Sequence, residues 1–408
     1  MENYIIWGCM ADDFEGAAEA ASFFRKSGLK TLLYNGIPEA KIDDDVKAIV
    51  LNVGIKNIQA DIAVETALEA LEYLKNINVE KIYYKYSQDF YSSGNIGPVS
   101  KAMMDSLNED KTILCPAFPA NGYTVNRGII YVNGMQLAES EKGNLFSRES
   151  EISEIMSGQS PYPCINVDLE EMQEDNEEIW NRLNEFERIM GKYYIVPDFI
   201  SENDAGRIAE IFKNLNFLTG SSGVIEAIAK DYGEKSDCIG CFSGKALIIS
   251  GSCSKSSLRQ IDEFINNGGK AFKIDAIRLL NEKQTVGDLW NFMAENSDET
   301  VLIYSSDTED NVKYNQRHGA KEISESLKNA MAELVETAVM NGYRRIVISG
   351  SESARAITDK LGYNAYNVGE SVARGVPVII PLKNRNISMV IKSGDFGEPD
   401  FLERAVKF

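Results

Sequence analysis

Apolar runs that break at a turn rich in Gly and Ser, then resume as polar, helix-starting residues, recur along this chain, and few folds admit that alternation. Ala246-Leu247-Ile248-Ile249 leads into Gly251-Ser252-Cys253-Ser254, Ile346-Val347-Ile348 into Gly350-Ser351-Glu352-Ser353, and Met389-Val390-Ile391 into Lys392-Ser393-Gly394-Asp395-Phe396-Gly397. Short buried strands alternating with helices form a mainly parallel sheet, so an α/β fold is expected. At the end of such a strand, residues without bulky side chains let backbone N–H groups approach a ligand, and a following helix adds its positive N-terminal end. Three such turns in one region point to a nucleotide or phosphate site. None is a Walker loop: Gly244-Lys245 is followed by Ala246 and lacks the upstream Gly, which excludes the P-loop class.

The first half reads the same way. Residues 4–7 suggest a first buried strand and residues 16–27 an Ala-rich helix closed by Gly28. Apolar runs at 31–34, 48–53 and 81–85 are further strands, with a helix over 61–75. From 135 to 160 the periodicity is lost, and the acidic stretch 169–187 reads as a solvated helix. Residues 217–223 and 224–230 repeat strand, glycine turn and helix, and 231–244 has the composition of a linker. A second α/β unit begins at Lys245, with helices over 256–266, 319–340 and 354–361. A chain of 408 residues suits two domains better than one core. The expected organisation is two three-layer α/β/α domains, 1–235 and 245–408, joined by 236–244 and enclosing an interdomain cleft.

Charge narrows the partners. Sixty-two acidic against 42 basic residues give a formal charge of −20, so a nucleic-acid backbone would be repelled. A small anion remains compatible, because local donors outweigh a distant field screened over roughly 8 Å. No apolar run approaches the roughly 20 residues of a membrane helix, and Met1-Glu2-Asn3 lacks a signal peptide's positive region. The expected location is the cytoplasm. Of six cysteines only Cys238 and Cys241 have ligand-like spacing, and without two further ligands they read as reduced thiols. The single histidine, His318, has no nucleophile-elbow sequence and reads as a surface residue.

Two segments of the first half carry candidate chemistry. Ala11-Asp12-Asp13-Phe14-Glu15-Gly16-Ala17 puts paired carboxylates at the end of the first strand, where open α/β sheets bind ligands. One could orient or deprotonate a hydroxyl while the other holds a cation; capping of the following helix explains them equally well. Lys85, at another strand end, could hold an anionic group, and Gly94-Asn95-Ile96-Gly97 can start a helix.

Taken in order, these segments resemble the four-carbon acid sugar kinases over nearly the whole chain. Ala11-Asp12-Asp13-Phe14 with Gly16-Ala17 is similar to that family's opening Ala-Asp-Asp-(Leu/Phe)-Thr-Gly-Ala. Gly94-Asn95-Ile96-Gly97, Pro116-Ala117-Phe118-Pro119 and Gly220-Ser221-Ser222-Gly223 resemble later landmarks, and the three opening turns resemble its nucleotide loops. The resemblance implies an ATP-dependent kinase, with Mg²⁺, acting on a hydroxyl of a four-carbon acid sugar or related polyol. It implies Asp13 and Asp12 as catalytic and Asp12, Lys56, Lys85, Asp89, Asn95 and Tyr123 at the substrate. Ser252, Ser254, Gly350, Ser351, Glu352, Ser353, Lys392, Gly394 and Asp395 would hold ATP; no metal ligand is assigned. Expected partners are the small substrate and ATP, with no nucleic acid or membrane, and a homodimer is left open.

The sequence departs from the family pattern in its substrate half. Glu15 replaces Thr, Ile55-Lys56 replaces Ser-Arg, Tyr123 replaces Arg, and Tyr91-Ser92-Ser93 replaces Asp-Ser-Thr, with Asp89 as a substitute acid. Arg offers a carboxylate a two-pronged donor that Tyr cannot copy and Lys copies only as a point charge. A less anionic polyol or an amino-bearing compound would then fit better. The alternative is a catalytically inactive, regulatory nucleotide-binding protein.

Overall fold

A computed structural model describes residues 5–38, 42, 45–86, 95–140, 149–230, 242–394 and 396–408. Residues 87–94 with Asp89, Asp395, Cys238, Cys241, Met1-Glu2-Asn3 and most of the proposed linker lie outside the described residues. The chain forms two compact units, Met1–Ser236 and Asp237–Phe408.

In the first unit β1 (Trp7–Ala11), β2 (Thr31–Asn35), β3 (Ala48–Asn52), β4 (Lys81–Lys85), β5 (Lys111–Cys115), β9 (Cys164–Val167), β10 (Tyr193–Pro197) and β11 (Phe217–Gly220) form one parallel array in the order β2-β3-β1-β4-β11-β5-β10-β9. Successive strand residues face opposite sides, so the unbroken burial of β1, β4 and β10 means both faces are covered, as a parallel sheet requires. A small antiparallel sheet, β6 (Tyr123–Asn126), β7 (Ile129–Val132) and β8 (Met135–Gln136), accounts for the start of the aperiodic stretch.

The first strand lies further along than expected. Gly8 weakens the local strand signal, yet a Cβ there would come within 3.0 Å of Leu74 and 3.1 Å of Val79, so glycine is what lets the helix Ala60–Asn76 and the turn after it pack close. The ladder therefore runs to Ala11 and delivers Asp12 directly to the sheet's end. The acidic segment is divided: a short 3₁₀ turn, Glu171–Gln173, precedes the helix Asn176–Met190, which buries only Ile179 and Leu183 and presents its charged face to solvent.

In the second unit the order is β13-β14-β12-β15-β18-β17-β16, from β12 (Lys245–Ser250), β13 (Lys270–Lys273), β14 (Val301–Tyr304), β15 (Tyr343–Ser349), β16 (Ala365–Ala373), β17 (Val376–Pro381) and β18 (Ser388–Lys392). The first five are parallel in pairs; β16 and β17 are antiparallel. The core under this sheet includes Ile248, Val347 and Val390 from the three central strands and Phe264 and Phe401 from helices. Among the described residues no helix is long and apolar enough to cross a membrane.

Candidate functional site

Both sheets reverse their winding beside the first strand. In the first unit β2 and β3 lie on one side of β1 and β4 on the other, so the crevice opens at the ends of β1 and β4. Ala11 and Lys85 are in register there. Asp12 follows β1 directly, is buried, and is tied by its backbone to Lys85 and Lys56: its N–H donates to the Lys85 carbonyl at 3.2 Å and its carbonyl accepts from the Lys56 N–H at 3.1 Å. Asp13 caps the helix Phe14–Lys26, its carboxylate accepting from the Gly16 N–H at 2.6 Å and from Lys56 Nζ at 2.9 Å. Asp13 therefore caps the helix at the same sheet end where Asp12 lies buried. Burial would raise the Asp13 pKa, but Lys85, Lys56 and the Gly16 N–H outweigh it and hold the carboxyl below its ordinary value.

Gly16 has a steric role that spacing could not reveal. A Cβ there would sit 2.4 Å from Lys85 Nζ and 2.9 Å from the Asp13 carboxylate, so the lysine reaches its place only because this turn has no side chain. Asn95 is buried, and its amide donates to the Ile55 and Ile58 carbonyls at 2.9 Å each, fixing the loop that carries Lys56. Tyr123 is buried at the start of β6, its main chain paired with Phe118. Glu15 lies in the first turn of the helix that Asp13 caps.

In the second unit β12, β15 and β18 are neighbours and end in register at Ser250, Ser349 and Lys392, with Tyr304 of β14 alongside. Their loops therefore leave the sheet together. Gly251, Ser252, Cys253, Gly350, Ser351, Glu352, Ser353 and Gly394 line one cavity of about 330 Å³. Its glycines are sites of mutual contact: a Cβ at Gly251 would lie 2.2 Å from Ser353 Oγ, one at Gly394 2.4 Å from Ser252 Oγ, and one at Gly350, where φ is 116°, 3.0 Å from the Ser252 nitrogen.

Several of the loops' N–H groups are engaged by neighbouring loops and strand ends. The N–H groups of Gly251 and Ser252 are given to the Ser349 carbonyl and that of Gly350 to the Lys392 carbonyl. The helix Ser351–Leu361 begins at Gly350, which has no side chain to cap it, and its first residues Ser351, Glu352 and Ser353 line the cavity. Ser254, by contrast, is itself a cap: its hydroxyl accepts from Ser257 N and donates to the Gly394 carbonyl at 2.6 Å. Lys392 is also turned inward. It is buried, with Nζ donating to Ser257 Oγ at 3.1 Å and to the Ser393 and Gly394 carbonyls at 3.2 and 3.0 Å. Both residues shape the third loop from behind. Accordingly, Lys392→Met should cost about 1–3 kcal/mol in chemical denaturation, by orphaning those acceptors; unchanged stability with abolished ATP binding would instead make Lys392 a direct phosphate ligand.

Several cavity residues had no sequence signal. Ser305 and Asp307 come from the turn after β14, Asn315 and Gln316 from the helix Glu309–Gln316, and Ser324 and Lys328 from the helix Ala320–Met340. Asp307 and Glu352 are the carboxylates on the wall. Asp307 is paired with Lys273 at 2.8 Å, and burial is outweighed by Asn311, Lys273 and the Thr308 N–H, so it stays ionised. Glu352 is exposed and accepts from Ser324 Oγ at 3.1 Å. His318 is exposed, its ring against Tyr314.

Known proteins similar to this chain cover both units. Residues 7–228 match the sugar-binding N-terminal domain family and residues 247–402 the nucleotide-binding C-terminal domain family. A 3-oxo-tetronate kinase of Pectobacterium atrosepticum is 29% identical over 420 residues, covering 98% of both chains. One of Pseudomonas savastanoi pv. phaseolicola is 30% identical over 417 residues, covering 98% of this chain and 97% of that one. A solved structure from Salmonella typhimurium LT2 superposes with a TM-score of 0.90 at 26% identity, covering 98% of each chain. The fold is that of a two-domain α/β protein joining a sugar-binding to a nucleotide-binding unit. The chain belongs to the four-carbon acid sugar kinase family.

Proposed function

We propose that this chain is an ATP-dependent kinase that phosphorylates a hydroxyl of a small four-carbon acid sugar or closely related polyol. The observation that carries the reading is the meeting of three separate strand-end loops on one cavity, with the start of the helix Ser351–Leu361 on its wall. Phosphoryl transfer asks little covalent chemistry of a protein beyond placement and charge neutralisation. The cavity volume lies within the range of small-molecule sites. Its glycine contacts leave no room for side chains between the loops, and a lining rich in serine with Lys328 suits phosphate. Mg²⁺ usually needs only one or two carboxylates beside substrate phosphates, a requirement that Asp307 and Glu352 meet; when bound it neutralises phosphate charge.

In the first unit Asp13, held ionised by Lys56 and the Gly16 N–H, would accept the hydrogen bond and then the proton of the attacking hydroxyl. Asp12 would orient the substrate, and Lys56 and Lys85 would supply positive charge. The test is incubation of the full chain with ATP and Mg²⁺ against 3-oxotetronate, threonate, erythronate and neutral polyols. The expected result is ADP in one-to-one yield with a product heavier by one phosphate. Calorimetric heat with ATP but no ADP from any acceptor would assign the chain to nucleotide binding without catalysis.

A further inference from the structure

An acidic residue in an Ala-rich helix ordinarily faces water, but Glu19 is only 6% exposed. Its Oε2 accepts from the Ser222 hydroxyl at 2.6 Å and lies 3.4 Å from Lys85 Nζ. Oε1 is buried with no hydrogen-bond partner among the described residues. Ser222 is itself fixed in a tightly packed turn: Ser221 donates to the Ala117 carbonyl at 2.6 Å, and a Cβ at Gly223 would lie 2.8 Å from that oxygen. A buried ion pair is a poor way to gain stability, since apolar residues of similar size serve as well or better. Its use here is to place a charge.

We propose that Glu19 is a positioning residue: anchored by the Ser222 hydroxyl, it holds the Lys85 ammonium beneath the Asp12–Asp13 turn as a fixed cation for the substrate step. The role rests on the kinase reading of that turn. Lys85 is 4% exposed and faces Glu19 and Asp13 from the first helix and its cap, Asp12 from the end of β1, and Cys9 within β1; Lys56 approaches through Asp13. Burial alone would lower the Lys85 pKa, but Glu19 first, then Asp13 and Asp12, overcome it and hold the ammonium above its ordinary value. Burial pushes the Cys9 thiol up, so it stays neutral. Replacing Glu19 with Gln keeps its size and its acceptor for Ser222 while removing the largest opposing charge.

The experiment is an NMR titration of ¹⁵N-lysine-labelled full chain, wild type and Glu19→Gln, paired with kcat/KM against pH on an accepted acid sugar. Lys85 Nζ and the alkaline limb of kcat/KM should both move at least about one pH unit lower, with Glu19→Asp returning both toward wild type. Ser222→Ala, which loosens Glu19 without removing its charge, should give a smaller shift of the same sign and serves if Glu19→Gln does not fold. An unmoved Lys85 titration overturns the proposal, and so does a moved titration with an unmoved kinetic limb. The titration needs no turnover: a wild type inactive on every acid sugar sinks the kinase reading, while the Nζ shift still decides whether Glu19 holds Lys85 charged.

Discussion

Asp13→Asn should fold as the wild type does, bind ATP with unchanged affinity, and lose about 100-fold or more in kcat, the scale of removing a positioned acid or base. The substitution is chosen because Asp13 has two duties. Its carboxylate caps the first helix through the Gly16 N–H and meets Lys56 at 2.9 Å. Asn caps nearly as well as Asp, so helix stability is retained, and the part-exposed pair with Lys56 contributes little to folding. What Asn cannot do is take a proton. Asp13→Ala adds the loss of the cap, about 1 kcal/mol, and confuses the two effects. The Asp13 pKa is depressed, so the wild-type base stays ionised down to below its ordinary value of 3.8, and its contribution to stability is lost only as pH falls through that lower value. Wild-type turnover in Asp13→Asn, measured as ADP release, would transfer the role to Asp12 or remove it.

Gly350→Ala should weaken ATP binding by at least about tenfold, or about 1.4 kcal/mol. Its φ of 116° is one that L residues rarely adopt, and the new methyl would meet the Ser252 nitrogen at 3.0 Å, a backbone atom that cannot rotate away. Strain of about 1–3 kcal/mol would be relieved by shifting the start of the helix Ser351–Leu361, which lines the cavity. Gly362→Ala is the matched control: it caps the other end of the same helix at φ 64° with open space around it, so it should lower stability and leave ATP affinity intact. Calorimetric titration of both variants reads the difference. Equal ATP affinity in wild type and Gly350→Ala would mean that this helix end does not bind the nucleotide.

The loops were legible in the sequence because the chain must change composition where it leaves a buried strand. Gly251, Gly350 and Gly394 stand out against the apolar runs before them. That these loops meet was expected from their shared design, but which strands bring them together was not legible: it depends on β12, β15 and β18 being neighbours, and pairing between strands distant in sequence leaves no local mark. Polar type alone also hid structural duties. Asn95, Ser254 and Lys392 look like ligand groups, and they also bond Ile55 and Ile58, Ser257 and Gly394, and Ser257, Ser393 and Gly394. Glu19 erred the other way, hidden as an ordinary helix-surface acid until Ser222 and Lys85 closed over it. In each case the deciding partner lies far away in the chain.

Hydrogen–deuterium exchange of the full chain with and without ATP and Mg²⁺ tests most directly whether the strand-end loops of the second unit form one nucleotide site. Slowed exchange should appear together at 250–257, 305–328, 349–356 and 391–394. Unchanged exchange in those segments at saturating ATP, or protection confined to residues 12–56, would contradict it.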